Sequence, residues 1–359
     1  EMVGNDECVV WQVYPDGATV ARAAGVDKDN NIWIGFHSSS RIKKLDGDTG
    51  QTLKSFNLTG RPYGLAIDSD GIIWYASRSG SHGVGRLHPE NGETNWYGSP
   101  GDPYGLAIDP FGYVWVALYG QHSIVRLDPN NGNWWNSGNL GWGGTRGVAV
   151  SVKHGGDGQI VESRVYTAHS GTGRISVLDA FTKQKLGAIN LGNSGHCPVG
   201  VAIDSTNHIW SVNQCTSTAS KVDPDNWNVE FTKSVGQNPY TYSDMTGYAL
   251  KTITAPVGVY RTKIAGWKGA QTVWDRVIID ATMPGNGLTW LDVYYRFGST
   301  EEALANADWQ GPKGPYPPDN FPLELGVTAN HMEIELRFYT DEPTVLPVLH
   351  ALKVIAFKE

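Results

Sequence analysis

Three histidines of the sequence could act as a general base. Imidazole titrates near neutral pH, so His37, His122 or His169 could take up or release a proton under physiological conditions. We nevertheless predict no catalytic residue, because a lone histidine in a loop is more often an ordinary polar surface residue; His37 and His169 are the candidates should the protein be an enzyme. The sequence shows no Ser–His–Asp order, no phosphate-binding glycine loop and no paired Cys/His spacing, so no metal ligands are predicted.

Two of the three cysteines are predicted to form a disulfide. If strands 199–204 and 208–212 pair as a hairpin, the register that joins their near ends also places Cys197 opposite Cys215. Directly opposed residues of an antiparallel pair have the Cα separation that a disulfide needs. A bridge would indicate an oxidising compartment; the alternative is two reduced thiols. Cys8 is then either a buried small apolar residue or a link to another chain.

Aspartate-rich turns offer oxygen ligands that calcium would accept. They occupy residues 27–31, 46–48 and 68–71. None has the twelve-residue spacing of an EF-hand, and Asp or Asn at such places often hydrogen-bonds its own backbone. The prediction is therefore no cofactor, with calcium as the alternative.

Aromatic side chains are dense between residues 133 and 144. Trp134 and Trp135 are adjacent, and Trp142 follows. Exposed indole rings can stack on sugars or on other planar ligands. The alternative is that these rings seal contacts between structural repeats.

The composition of the chain limits which partners and which kinds of secondary structure are possible. The 359 residues carry a net charge of −8, which argues against nucleic acid or an anionic membrane as partner. The sequence has no apolar run near 18 residues, so no membrane insertion is expected. With 44 glycines and 14 tryptophans, the chain has the composition of a turn-rich, all-β protein.

A repeat of about 41 residues dominates the first two thirds of the chain. A Gly-Leu-Ala-Ile-Asp type of segment is followed, six positions after the Asp, by a Trp. The four pairs are Asp27 and Trp33, Asp68 and Trp74, Asp109 and Trp115, and Asp204 and Trp210. A degenerate copy occupies 147–151 and ends at Tyr166.

Each repeat predicts four short strands, which at this period is typical of a β-propeller blade. We predict a propeller over residues 1–255 with six blades favoured and five or seven as alternatives. Residues 238–242 are expected to be a sixth inner strand. The segment 8–13 is expected to complete that blade and to remove two exposed edges.

The blades resemble those of streptogramin-lyase-like and NHL-type propellers, which share the pattern P-x-G-L-A-I-D, G-x-I-W, I-x-R-L-D. The resemblance spans residues 8–250 and implies the propeller architecture. Such lyases use histidines and glutamates around magnesium, and propeller lactonases hold calcium with Glu, Asn and Asp. The corresponding positions here, 33–36, 74–77 and 115–118, supply no carboxylate. An enzymatic role is therefore not favoured.

Residues 256–359 lack the repeat and contain apolar or alternating segments of strand length. They predict an antiparallel β-sandwich, with residues 311–318 as a loop and a short capped turn at Thr300. The domain resembles the sandwich modules of large bacterial surface and secreted proteins. This resemblance implies an extracellular or cell-surface location, of bacterial type.

Two sets of loop positions should line one mouth of the propeller channel, because their chemistry varies on a repetitive frame. The first set lies four residues after each blade aromatic and consists of His37, Arg78, Tyr119, Ser170 and Gln214. The second set precedes the inner strands and consists of Arg61, Asp102, Arg146, His196 and Asn238. The alternative is that these are solvated loop residues.

Together these patterns favour a non-catalytic extracellular or cell-surface binding module, with a polysaccharide or a surface protein as partner. One alternative is a metal-dependent propeller lyase or hydrolase. Another is a structural subunit of a surface filament or sheath.

Overall fold

A computed structural model describes residues 9–17, 20–27, 29–155, 159–204, 206–241, 257–285, 287–316, 322–340 and 345–359. The chain divides into two compact units, Glu1–Lys153 with Glu162–Thr254, and His154–Val161 with Ala255–Glu359. No helix among the described residues is long and apolar enough to cross a membrane.

Five four-stranded sheets make up the first unit, and in each the strands pair in sequence order. Sheet one contains β1 (Ala21–Val26), β2 (Ile32–Phe36), β3 (Arg41–Leu45) and β4 (Thr52–Asn57). Sheet two contains β5 (Pro62–Ile67), β6 (Ile73–Ser77), β7 (Gly83–Leu87) and β8 (Thr94–Gly98). Sheet three contains β9 (Pro103–Ile108), β10 (Val114–Leu118), β11 (Ser123–Leu127) and β12 (Trp134–Asn136).

The remaining two sheets follow the same plan. Sheet four contains β13 (Thr145–His154), β14 (Ile160–His169), β15 (Arg174–Asp179) and β16 (Lys185–Asn190). Sheet five contains β17 (Pro198–Ile203), β18 (Ile209–Asn213), β19 (Thr218–Val222) and β20 (Val229–Ser234). These are the four-stranded blades that the repeat predicts, so the all-β propeller prediction is confirmed.

The described residues form five blades, whereas the sequence favoured six. Residues 9–13 and 238–241 are not in strands, although both segments were expected to build a sixth blade. Tyr242 and Cys8, at the ends of those segments, lie outside the described residues. Residues 238–241 are instead tied by side-chain bonds to other parts of the first unit, as described below.

The six-residue spacing from Asp to Trp has a local physical cause. In blade three, Asp109 Oδ1 accepts hydrogen bonds from the backbone N–H groups of Phe111 and Tyr113, at 3.0 Å each. Its Oδ2 accepts a bond of 2.8 Å from the indole Nε1 of Trp115. The same Asp–Trp bond recurs in three other blades, at Asp27 and Trp33, Asp68 and Trp74, and Asp204 and Trp210. The aspartate therefore folds the turn and orients the large aromatic ring of the next strand.

Neighbouring blades share hydrophobic clusters. Trp74 and Ala66 of blade two pack in one cluster with Leu106 and Val116 of blade three. Apolar side chains buried between sheets in this way supply most of the stabilising free energy of an all-β repeat.

The second unit contains two antiparallel sheets. The four-stranded sheet has the order β21 (Val257–Ala265), β26 (His331–Thr340), β23 (Thr289–Gly298) and β24 (Gln310–Tyr316). The three-stranded sheet has the order β25 (Leu323–Thr328), β22 (Thr272–Thr282) and β27 (Val348–Lys358). Both sheets contribute to one hydrophobic core, which is the packing that a β-sandwich requires.

Two local predictions in this unit have opposite outcomes. Helix α1 (Glu301–Ala305) is capped as predicted, since Thr300 Oγ1 accepts a bond of 3.0 Å from the Ala303 N–H. Residues 311–318 were predicted to be a loop, which was wrong for residues 311–316, because they belong to strand β24; residues 317–318 lie outside the described residues. This strand pairs on one side only, with β23 and with repeated register shifts, and such an edge tolerates proline.

Candidate functional site

The two sets of loop positions predicted from the repeat meet at one edge of the blades. The inner strand of each blade begins at the edge where the second strand ends, because the two run antiparallel. Backbone bonds join the two kinds of loop there: the N–H groups of residues 37, 119, 170 and 214, all in the first set, donate to the carbonyl oxygens of residues 20, 102, 144 and 197, which lie at or near the start of the inner strands. We call this edge the mouth of the first unit.

A β-bulge interrupts the inner strand of four blades next to the mouth. In blade two, Pro62 pairs with Ser77 and Gly64 with Ala76, so Tyr63 is left out of the ladder. The register shifts in the same way around Arg22, Tyr104 and Val199. Bulges re-aim a side chain, and here they introduce site residues that the sequence analysis did not include.

These bulge residues join a network of arginine and tyrosine side chains. Arg146 is the second residue of β13, and its Nη1 donates to the hydroxyls of Tyr104 at 2.8 Å and Tyr240 at 2.6 Å. The hydroxyls of Tyr104 and Tyr240 also hydrogen-bond to each other. The hydroxyl of Tyr63 donates to that of Tyr104 at 3.4 Å and accepts from Arg22 Nη1 at 2.9 Å.

Guanidinium groups also lie over the tyrosine rings. The Arg78 Cζ atom is 4.4 Å from the ring centroid of Tyr119 and 5.2 Å from that of Tyr104. Arg146 lies 5.1 Å from the Tyr119 centroid, and Arg22 lies 4.9 Å from the Tyr63 centroid. At these distances a cation is attracted to the ring face. We call Arg22, Tyr63, Arg78, Tyr104, Tyr119, Arg146 and Tyr240 the arginine–tyrosine cluster.

Two phenols of this cluster, those of Tyr104 and Tyr240, are neutral at physiological pH. Burial raises the pKa of Tyr104 well above its usual range and raises the pKa of Tyr240 to about 12. Tyr104 is only 1% exposed. The positive charge of the arginines is therefore shared among neutral oxygens and ring faces.

An open pocket of about 490 Å³ lies beside the cluster. Its lining consists of Arg22, His37, Tyr63, Arg78, Ser79, His82, Asp102, Gly120 and Gln121. Asp102 is the acidic residue of this lining, and both its carboxylate oxygens accept from Arg78 Nε, at 3.0 and 3.2 Å. A pocket of this size suits a small ligand or one side chain of a larger partner.

His37 is the catalytic candidate that this pocket contains. Its Nε2 is 3.3 Å from Ser79 Oγ, and its ring meets the edge of the Tyr63 ring. Burial and then the charges of Arg22 and Arg61 lower the pKa of His37, so its imidazole is neutral at pH 7. A neutral imidazole can accept or donate a hydrogen bond.

His169, the other catalytic candidate, is fully buried away from solvent. Its Nε2 is 2.8 Å from Ser176 Oγ, and its Nδ1 is 3.5 Å from Thr145 Oγ1. Burial lowers its pKa to about 3. His169 is thus placed as a neutral, hydrogen-bonded interior residue. His122 Nδ1 accepts a bond from the Gly144 N–H at 2.9 Å.

The remaining predicted mouth residues differ in their contacts. Ser170 Oγ accepts a bond of 2.7 Å from Arg146 Nε and so supports the cluster. The side chains of Arg61 and His196 are exposed, and Gln214 is half-buried. The Asn238 N–H donates to Ser217 Oγ at 3.1 Å.

Trp134 and Trp135 lie on β12, the outermost strand of blade three. Both are half-buried, and each packs against a hydrophobic cluster. The Trp135 ring meets the buried Trp115 ring edge-on, with centroids 5.7 Å apart. This placement matches the alternative that the two rings seal structural contacts.

The carboxylates considered as calcium ligands take part in turns. The Oδ1 atoms of Asp27, Asp46 and Asp68 each accept at least two hydrogen bonds from backbone N–H groups within the next four residues. Among the described residues, the one group of three potential metal ligands is His196, Cys197 and Cys215.

The predicted disulfide is confirmed. Cys197 and Cys215 are bonded, with Cα atoms 5.4 Å apart. The strand pairing at residues 200–203 follows the predicted register, and the bridge lies just beyond the bulge of this hairpin. Both cysteines of the potential metal group are therefore occupied.

Comparisons with solved structures identify the architecture. Virginiamycin B lyase from Staphylococcus aureus matches with a TM-score of 0.53 and 17% identity over 64% of this chain and 76% of that chain. A catalytically inactive histidine-to-alanine variant of that lyase with quinupristin matches at 0.54 and 16%, over 66% and 78%. A nidogen/laminin complex matches at 0.51 and 15%, over 63% and 84%.

The first unit is therefore a β-propeller of the architecture found in the streptogramin B lyases. The predicted resemblance is confirmed at the level of the fold, which at these identities is what the likeness shows. No protein-family model matches the sequence, and a search of curated proteins found no similar sequence.

Proposed function

We propose that this protein is a non-catalytic extracellular binding module whose binding site is the mouth of the propeller. The observation that carries the proposal is the arginine–tyrosine cluster beside an open pocket. Its side chains differ from blade to blade, while the Asp–Trp turns that hold the blades repeat. Variable polar and aromatic groups on a rigid frame are what a specific binding site needs.

The proposed location and partner class have separate support. The Cys197–Cys215 disulfide favours an oxidising environment outside the cell. A protein partner is favoured over a polysaccharide, because one neighbour of the same fold comes from a nidogen/laminin complex. The half-buried positions of Trp134 and Trp135 offer a sugar little ring face.

The donor set of the mouth favours binding over metal-assisted chemistry. Magnesium prefers carboxylate and water oxygens in octahedral geometry. In the pocket, the carboxylate of Asp102 is held by Arg78, and the other nearby charges are positive. These residues do not fit a magnesium site, so no reaction step is derived from one.

The proposal is tested by binding arrays of extracellular proteins and of glycans. We expect the wild-type protein to bind a protein target and Tyr119→Ala, at the mouth, to lose that binding. Tyr113→Ala, in the β9–β10 turn, is the matched control and should keep it. A target bound equally by Tyr119→Ala, or binding confined to glycans and lost in Trp134→Ala or Trp135→Ala, would contradict the proposal.

A second candidate function is a lyase, favoured by His37 in the pocket and by the virginiamycin B lyase neighbour. The test is incubation with quinupristin, with and without magnesium, followed by mass spectrometry. The binding-module proposal expects intact quinupristin. Conversion of quinupristin that is lost in His37→Ala and retained in His88→Ala would show that the protein is a lyase instead.

A further inference from the structure

We propose that the second unit carries a saccharide-binding site, in a pocket that is lined by Trp267. The pocket has a volume of about 570 Å³, which lies within the range of small-ligand sites. Its lining comes from the β21–β22 loop, residues 266–271, from the adjoining end of β21 and from residues 330 and 331. These residues belong to the sandwich, so the inference goes beyond the proposed function and does not depend on it.

The first argument is the exposure of Trp267. Among the 14 tryptophans, all of which lie in the described ranges, it is the one with an exposed side chain, at 44%. Trp134 and Trp135, by contrast, are half-buried. A single exposed apolar residue is common on protein surfaces. Trp267 differs because its ring lines a pocket together with several polar groups, as a ligand that stacks on an aromatic face requires.

The second argument is the set of polar groups beside this ring. Four polar side chains line the same pocket: Lys268, Gln271, Asn330 and His331. Together they offer N–H donors, amide oxygen acceptors and an imidazole. In the part of the chain that the structure describes, the side chains of Trp267, Lys268 and Gln271 make no hydrogen bond or ion pair. Their donors and acceptors are therefore available to a ligand.

Hydrogen bonds hold the loop in place at both of its ends. The Trp267 N–H donates to Thr272 Oγ1 at 2.9 Å, and the Gly266 N–H donates to the carbonyl oxygen of Asn330 at 2.8 Å. Glycine is required at position 266, because a Cβ there would overlap Thr272 Oγ1. The indole ring is thus carried by a loop with fixed ends, which reduces the entropy that is lost when a ligand binds.

A sugar ring fits this combination of groups. Its C–H faces stack on one indole ring, and its hydroxyls both donate to and accept from amide, imidazole and ammonium groups. A phosphate-rich ligand is disfavoured, since Lys268 is the one permanently charged side chain of the lining. A membrane surface or a protein partner would be bound through several large apolar side chains. Apart from Trp267 and the polar residues, the lining consists of glycines and alanines.

The experiment screens the full chain on an immobilised array of plant, microbial and animal glycans. Each glycan that binds is then titrated by calorimetry as the free oligosaccharide, and vesicles of phosphatidylcholine and phosphatidylglycerol are titrated in parallel. The variants are Trp267→Ala, Trp267→Phe and Gln271→Ala. Tyr260→Ala is the matched control, because Tyr260 is 42% exposed on β21 and lies outside the pocket lining. Unfolding in urea checks that each variant is folded.

We expect the wild-type protein to bind at least one oligosaccharide. Trp267→Ala, which removes the stacking face, should weaken that binding by roughly tenfold or more, and Trp267→Phe should weaken it less. Gln271→Ala, which removes one hydrogen-bonding partner, should weaken it by about two- to tenfold. Tyr260→Ala should stay within about twofold of wild type. Tyr119→Ala, at the mouth, should also keep the affinity, so failure of the proposed function leaves this site standing.

Four outcomes would overturn the inference. They are no glycan binding by the wild-type protein, glycan binding that Trp267→Ala leaves unchanged, glycan binding that Tyr260→Ala weakens as much as Trp267→Ala, and vesicle binding without glycan binding. Glycan binding that is lost in Tyr119→Ala and kept in Trp267→Ala would assign the saccharide to the mouth and refute the site in the sandwich.

Discussion

The guanidinium of Arg146 donates a hydrogen bond of 2.6 Å to the hydroxyl of Tyr240, a residue 94 positions further along the chain. The same side chain donates to Tyr104 in blade three and to Ser170, which follows β14 in blade four. One cation thus ties two blades to the segment that follows the fifth. Because arginine stays protonated and the phenols stay neutral, this link persists across the physiological pH range.

Removing the hydroxyl of Tyr240 should loosen the segment that it anchors. In Tyr240→Phe, the bonds to Arg146 and Tyr104 are lost, at a cost of about 1–3 kcal/mol for the unpaired buried donor. We expect amide hydrogen exchange of residues 238–241 to be at least fivefold faster. Hydrogen-exchange mass spectrometry measures this, with Tyr113→Phe as control. Unchanged exchange would show that the segment is held by other contacts.

Replacing the turn aspartate of blade three should destabilise the propeller strongly. Asp109→Ala leaves the N–H groups of Phe111, Tyr113 and Trp115 without their acceptor at a site that is 1% exposed. We expect a loss of about 3 kcal/mol or more in the free energy of unfolding, measured in urea. Asp128→Ala, at a more exposed turn of the same blade, should cost about 1 kcal/mol or less. Equal effects would disprove the structural role assigned to the Asp–Trp bond.

Protonation of His169 should make the protein less stable in mild acid. Its pKa is about 3 in the folded protein, because burial disfavours the charged imidazole, and about 6.5 in the unfolded chain. The stability that it contributes is present above pH 6.5 and is lost as the pH falls toward 3, with about 2 kcal/mol lost by pH 5. His169→Gln, which cannot be protonated, should show a shallower fall between pH 7 and 5. His88→Gln is the control, and a slope for His169→Gln equal to that of wild type would refute the assignment.

Loss of the disulfide should lower stability without altering the blade. The bridge spans 18 positions, and closing a loop of that length stabilises a protein by about 3 kcal/mol. We expect the double variant Cys197→Ser, Cys215→Ser to unfold at a lower urea concentration, and Cys8→Ser to match wild type. Peptide mapping without reductant should recover Cys197 linked to Cys215. A double variant as stable as wild type would argue against a structural role for the bridge.

Local features of this fold were predictable from the sequence. The spacing of Asp109 and Trp115 predicts a turn and a following strand because both bonds of the aspartate close within six residues. The pairing of Cys197 with Cys215 was also predicted from one hairpin, although the bulge at Val199 shifts the register by one residue, so the two cysteines bond without being directly opposed. The blade repeat and the propeller architecture rest on such local signals, repeated along the chain.

The tertiary structure alone decided which side chains meet at the mouth. Tyr63 and Tyr104 occupy equivalent repeat positions, 41 residues apart, in strands with an apolar pattern. Both are buried, and the sequence pattern does not show the bulges that bring their hydroxyls into the network at the mouth. The position of these tyrosines lies five residues before the turn aspartate, or before Ser151 in blade four. It holds Arg, Tyr, Tyr, Arg and Val in successive blades, and that variation was the available signal. The contact between Arg146 and Tyr240, and the number of blades, depend on how separate sheets close around an axis. Pairing within one hairpin is set by hydrogen bonds between neighbouring residues, whereas closure is set by packing between blades distant in sequence, which no local pattern encodes.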